Sequence, residues 1–118
     1  MTPAAKNPPA PNLLQGTLEL LVLKTLAWGP RHGYAIARWL EDVTDDALRI
    51  EEGSLYPALQ RMLIKGWIAG KWGRTAENRR ARYYRLTAPG RRQLESELAG
   101  YRRLALAIAR IIDQPQQA

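Results

Sequence analysis

Three groups of side chains in this sequence have the make-up and periodicity of a binding surface. The first lies in RIEEGSLYPALQRMLIKGWI, residues 49–68, where Leu55, Leu59, Met62 and Leu63 recur at i, i+4, i+7 and i+8. That is the period of a helix's buried stripe. It assigns Ser54, Pro57, Ala58, Arg61 and Lys65 to the face left open, with Tyr56 beside the stripe. Small residues next to an arginine and a tyrosine let a helix backbone approach whatever it touches. The second group runs from Lys71 to Arg85, where six Lys/Arg stand against one glutamate. Clustered cations of this kind suit a polyanion, because binding a phosphate backbone releases its counterions. Arg74, Arg79, Arg80 and Arg82 are the candidates there, for phosphates or a narrow minor groove. A plain solvated loop is the alternative. His32, Gly33 and Tyr34 form a third, smaller candidate, placed where a helix should begin and free backbone amides favour phosphate.

Composition narrows the chemistry further. The chain has no cysteine and a single histidine, which leaves no disulfide, thiolate nucleophile or multi-histidine metal site to expect. No nucleophile or partner carboxylate is apparent beside His32, so an enzyme is not expected, nor a cofactor. The net charge of +7 is unevenly spread: residues 1–60 hold five Lys/Arg and seven Asp/Glu, residues 61–118 thirteen and four. The positive field is therefore local. No segment reaches the roughly 20 apolar residues of a membrane span, and MTPAAKNPPAPN, with one lysine and four prolines, makes a poor export signal. A cytoplasmic protein without membrane contact is expected.

The secondary structure around these groups follows from period and punctuation. Residues 1–12 read as a disordered tail. LLQGTLELLVLKTLAW, 13–28, is apolar on nearly every side, so its helix must be covered outside as well as inside, which points to a second copy through Leu14 and Leu18. Gly29 and Pro30 end it. A second helix runs from HGY to about Val43, with Ile36, Ala37, Leu40 and Val43 inward. Leu48 and Ile50 flanking Arg49 suggest a short strand. The third helix ends at Gly66. Its start is open: Ser54 as cap would put Pro57 in the first turn, whereas a start near Glu51 would make Pro57 internal.

WIAGKW and RYYRL then form a hairpin with a long basic tip. Within it Tyr84 and Leu86 should face the core with Ile68, and Trp67 and Trp72 should pack against the core or the wing. Thr87 caps a last helix in which Leu94, Leu98, Tyr101, Ala105, Ile108 and Ile112 alternate spacings of four and three, the seam of a coiled coil. The tail 113–118 should fray.

Three helices followed by a basic hairpin is the order of a winged helix-turn-helix, whose third helix enters the DNA major groove while the hairpin, the wing, follows the phosphates or the minor groove. The fold class expected is mainly α with a small β-hairpin: a winged helix-turn-helix over 13–87 and a dimerisation helix over 88–112. Arg61 would then contact a guanine edge or a phosphate, or stay solvated.

GPRHGYAIARWL, GSLYPALQRMLIKGWI and RYYRLTAPGRRQL, in this order and spacing, resemble the PadR-like family of bacterial transcriptional regulators, over about residues 13–112. The resemblance implies a homodimeric repressor of the short form, with one C-terminal dimerisation helix, acting on a palindromic operator of a detoxification, efflux or transport operon. It also implies that Tyr56 gives its hydroxyl to a phosphate, where core packing is the alternative. A planar or aromatic small-molecule effector is implied too, for which Tyr101 could stack at the seam or simply anchor it. One departure is visible: Glu51 stands where the family often has a capping serine. Rival readings are a non-specific nucleic-acid-binding or architectural protein, and an adaptor whose basic face meets an acidic protein.

Overall fold

A computed structural model of the protein describes residues 15–116; residues 1–14, which include Leu14 and the expected N-terminal tail, and residues 117–118 lie outside it. The element order is α1 (Gln15–Leu26), β1 (Arg31–His32), α2 (Gly33–Val43), α3 (Glu52–Ile64), β2 (Ile68–Arg74), β3 (Arg80–Leu86) and α4 (Ala88–Ile112). This is the winged helix-turn-helix expected, with a three-stranded antiparallel sheet of order β1-β3-β2.

Helix α1 is the hub, touching α2, α3, α4 and β3. Its Val22 and Leu23 are fully enclosed with Ile36 of α2 and Leu55, Leu59 and Met62 of α3, side chains whose burial is worth roughly 1.5–3 kcal/mol each. Thr25, also enclosed, satisfies its hydroxyl by donating to the Leu21 carbonyl at 2.8 Å. Ile68, Tyr84 and Leu86 close the core from the sheet, as their alternation suggested. Leu18 (4% exposed) and Leu94 (6%) belong to this core as well. The structure thus moves both from the expected dimer seam into the single chain's own interior, and Leu98 packs partly against the same cluster.

The predicted strand at 48–50 is absent. After α2, Asp45 and Asp46 adopt left-handed conformations, and the Ile50 amide donates to the Glu41 carboxylate at 3.1 Å rather than to a neighbouring strand. Ile50 itself is buried in the core cluster. The start of α3 is settled in favour of the earlier site: Glu51 is the N-cap, without a side-chain capping bond, and Pro57 is internal. Lacking an amide hydrogen, Pro57 cannot bond the Gly53 carbonyl one turn earlier. Both residues are exposed, where water can satisfy that carbonyl.

The wing is longer in strand and shorter in tip than expected. Polar residues do not break the ladder there because its outer half has no core to satisfy, and the turn is only residues 75–79. Asn78 supplies the left-handed residue, the Thr75 amide donates to the Arg79 carbonyl at 2.8 Å, and the Arg79 amide donates to the Thr75 hydroxyl at 3.2 Å. β1 is a third strand that two residues cannot announce by alternation; it pairs Arg31 with Tyr84 and His32 with Tyr83.

At the root of the wing, Thr87 caps α4 by accepting from the Gly90 amide at 3.1 Å. The same hydroxyl donates to the Gly66 carbonyl at 2.6 Å, and the Thr87 amide donates to the Trp67 carbonyl at 3.1 Å. Those bonds seat the long helix on the turn after α3.

Candidate nucleic-acid interface

Strand pairing decides which wing residues point where. The register Ile68↔Leu86, Gly70↔Tyr84, Trp72↔Arg82 and Arg74↔Arg80 puts all eight on one face of the hairpin. At the root that face is core; toward the tip it becomes Trp72, Arg82 and Arg80. One alternation thus links the hydrophobic core to a basic surface. The Arg80 guanidinium lies 4.4 Å from the centre of the Trp72 ring, and that of Arg82 5.8 Å from Tyr84. Aromatic faces hold both cations without neutralising them. Arg74, on β2, is the exception in the hairpin, donating from Nη1 to the Asn78 carbonyl at 3.2 Å and so bracing the turn.

Trp72, Arg79, Arg80, Arg82 and Tyr84, but not Arg74, form one wall of a groove of about 850 Å³. Its other wall is the start of α2 and Tyr56 of α3, so His32, Gly33, Tyr34, Tyr56, Arg79, Arg80 and Arg82, scattered over 51 positions of sequence, are brought together. His32 is the N-cap of α2, its Nδ1 accepting from the Ala35 amide at 3.2 Å, which assigns the proton to Nε2. Edge-on contact with Tyr83 and stacking on Tyr34 hold its ring. Gly33 is buried because the Tyr56 ring lies where a β-carbon would be, 2.8 Å away. Half-exposed Tyr56 is therefore both a packing residue and a groove residue. Burial, then the Glu52 carboxylate and Tyr84, push its phenol above the usual range, so its hydroxyl remains a donor at any physiological pH.

The open face of α3 is rotated from the one the sequence suggested. Ala58 is 0% exposed and is corrected to the core, while Leu63 is only partly buried. Counting Leu63 as fully inward and overlooking a small alanine shifted the stripe. The centre of the exposed face carries Gly53, Pro57, Gln60 and Ile64; Gly53, Gln60 and Ile64 were not singled out by the sequence, although their spacing of four, three and four gives them away. Ser54 is exposed at one margin. On that same margin Arg61 and Lys65 turn toward α1: Arg61 Nε is 3.5 Å and Lys65 Nζ 3.8 Å from Oε2 of Glu19. Glu19 is 5% exposed, a buried carboxylate that two cations satisfy. Lys65 also lies 4.4 Å from the Trp67 ring. Both cations fasten α3 to α1. Trp72, Thr75, Glu77, Ala81 and Tyr84, which also line the groove, were not singled out as site residues.

The remaining candidates lie on α4. Tyr101, Ile108 and Ile112 are exposed and Ala105 half-buried; Leu104 and Ile111 extend the same strip, within about 120° of helix surface at roughly 100° per residue. Among the described residues no group of His, Cys, Asp or Glu is placed to hold a metal ion, and no helix is long and apolar enough to cross a membrane.

A model of the transcriptional regulator PadR-like family matches residues 22–96, from α1 through the wing into α4. The chain belongs to this family. PadR-like proteins are DNA-binding transcriptional regulators, not enzymes, and the groove sits on the winged face of such a fold. The chain is 31% identical to a PadR family transcriptional regulator of Eggerthella lenta, with 86% of each chain covered and a TM-score of 0.70. It is 30% identical over 87 residues to protein X of Lysinibacillus sphaericus, covering 74% of this chain and 79% of that one. A 37.1 kDa protein in transposon Tn4556 of Streptomyces fradiae is 40% identical over 87 residues. The match covers 74% of this chain but only 24% of that longer protein.

Proposed function

We propose that this PadR-like regulator is a homodimeric repressor that binds a roughly palindromic operator, with α3 of each copy in the major groove and each wing on the adjoining phosphates or minor groove. The observation that carries this reading is the basic groove that joins the start of α2, Tyr56 and Arg79, Arg80 and Arg82 of the wing. Donors at a helix N-terminus, a phenol held protonated and guanidiniums held on aromatic rings are the equipment for gripping phosphates. Dimerisation through the exposed strip of α4 supports two such grips. Half-sites then lie about one helical turn apart, on the order of 10 base pairs. In this reading residues 13–87 bind DNA, residues 88–112 join the copies, and the protein works in the cytoplasm beside the chromosome. A flat aromatic effector would stack on Tyr101 within the strip and loosen the grip, as suits an operon for detoxification, efflux or transport.

Competition tests the reading. The protein should hold its own upstream region on the order of a thousandfold or more tighter than unrelated duplex. Arg80→Ala should weaken both alike and make the dependence on salt shallower by about one. Equal affinity for both duplexes would mean an architectural binder, and no binding of either at moderate salt would favour an adaptor for an acidic protein.

A further inference from the structure

The proposed α3–major groove contact leaves open which side chain chooses the base, and the geometry points to Gln60. It stands with Gly53, Pro57 and Ile64 on the centre line of the exposed face, all four within roughly 60° at about 100° per residue. The two cations nearest that line, Arg61 of α3 and Lys65 at its C-cap, are engaged elsewhere, at 3.5 Å and 3.8 Å from Glu19. Tyr56 is drawn to the other margin, over Gly33. The centre of the face that α3 would lay on the floor of a groove is thus one carboxamide and an isoleucine one turn on that is 76% exposed, with Ser54, Glu51 and Glu52 exposed at its margins and N-terminus.

We infer that Gln60 reads an adenine in each half-site, with Ile64 against a neighbouring thymine methyl; the inference rests on α3 entering the major groove. A carboxamide presents one acceptor and one donor side by side, matching adenine N6–H and N7 in a bidentate pair. Guanine shows two acceptors at the same edge, O6 and N7, which would leave the glutamine oxygen facing another oxygen; arginine is the side chain that fits it. Gly53 and Pro57, having little side chain, allow the first turn to approach closely enough for Gln60 to reach. Arg61 is a positioning residue here, holding α3 at its angle through Glu19.

Selection from a random duplex library with the full chain tests this, and Gln60 is exposed, so its variants should melt like the parent. The parent should enrich one adenine per half-site at a fixed position. Gln60→Arg should enrich guanine at that position, and Gln60→Ala should lose preference there alone, with affinity for the best site falling roughly ten- to a hundredfold. Arg61→Ala should recover less DNA with the base preferences unchanged. Unchanged preferences in both Gln60 variants, or a changed preference in Arg61→Ala only, would overturn the assignment while α3 remained a DNA-binding helix. A parent that is retained on DNA but enriches no sequence would overturn the assignment together with the sequence-specific reading.

Discussion

Ile108→Glu should convert the protein into a monomer whose winged domain still melts as the parent's does and whose affinity for the operator falls to the non-specific level, a loss on the order of a thousandfold or more. Ile108 is 45% exposed in the single chain, at the middle of the strip formed by Tyr101, Leu104, Ala105, Ile111 and Ile112, so a charge there disturbs no intramolecular core. Across a two-fold axis the substitution appears twice, and each carboxylate would be buried without a partner at a cost of several kcal/mol. One copy then holds half a site. Leu106 supplies the internal comparison: it is 55% exposed but lies on the opposite side of α4, about 160° away at roughly 100° per residue. Leu106→Glu should leave both the dimer and the affinity intact. Light scattering and a gel shift on the same samples decide between the faces. A dimeric, tightly binding Ile108→Glu protein would place the interface elsewhere.

The largest loss of stability should follow from adding one methyl group at Gly90. A β-carbon there would overlap the Trp67 carbonyl oxygen, with the Trp67 carbonyl carbon only 2.8 Å away, so backbone meets backbone and no side chain can rotate to relieve it. Alanine is the better helix former by about 1 kcal/mol, but overpacking of this rigid kind costs about 3 kcal/mol, and the contact should win. Relief requires lifting α4 from the turn, which would stretch the Thr87 bonds to Gly66 and Trp67 that seat it. Gly90→Ala should therefore lower the melting midpoint by on the order of 10 °C in a chain of this size. Calorimetry would show it; an unchanged or raised midpoint would mean that α4 has room to slide.

Much of this architecture was legible because each element carried its own punctuation. Gly29 and Gly66, both at positive φ, ended helices as read, and Thr87 capped α4. Other features depended on tertiary context that the chain's pattern does not carry. Leu94, Leu98 and Tyr101 continue one heptad, yet the first is enclosed by its own domain and the last is half in water, because the pattern says that a face is apolar and not which molecule covers it. The partner of Arg61 lies 42 positions upstream, in Glu19 of α1, and no local pattern joins the two. Ala58 is small enough to suggest an open surface and is in fact fully enclosed. The groove was the least legible feature, since it takes the pairing of β1 and β2 with β3 and the packing of Tyr56 over Gly33 to bring His32, Tyr56 and Arg80 to one place.

The claim that two copies present two α3 helices and two wings to one operator is tested most directly by hydroxyl-radical footprinting of the upstream DNA, with the stoichiometry of the complex measured alongside. Two chains per site should protect two patches of backbone related by a dyad, about one helical turn or on the order of 10 base pairs apart. A single protected patch, protection spread evenly along the fragment, or one chain per site would contradict it.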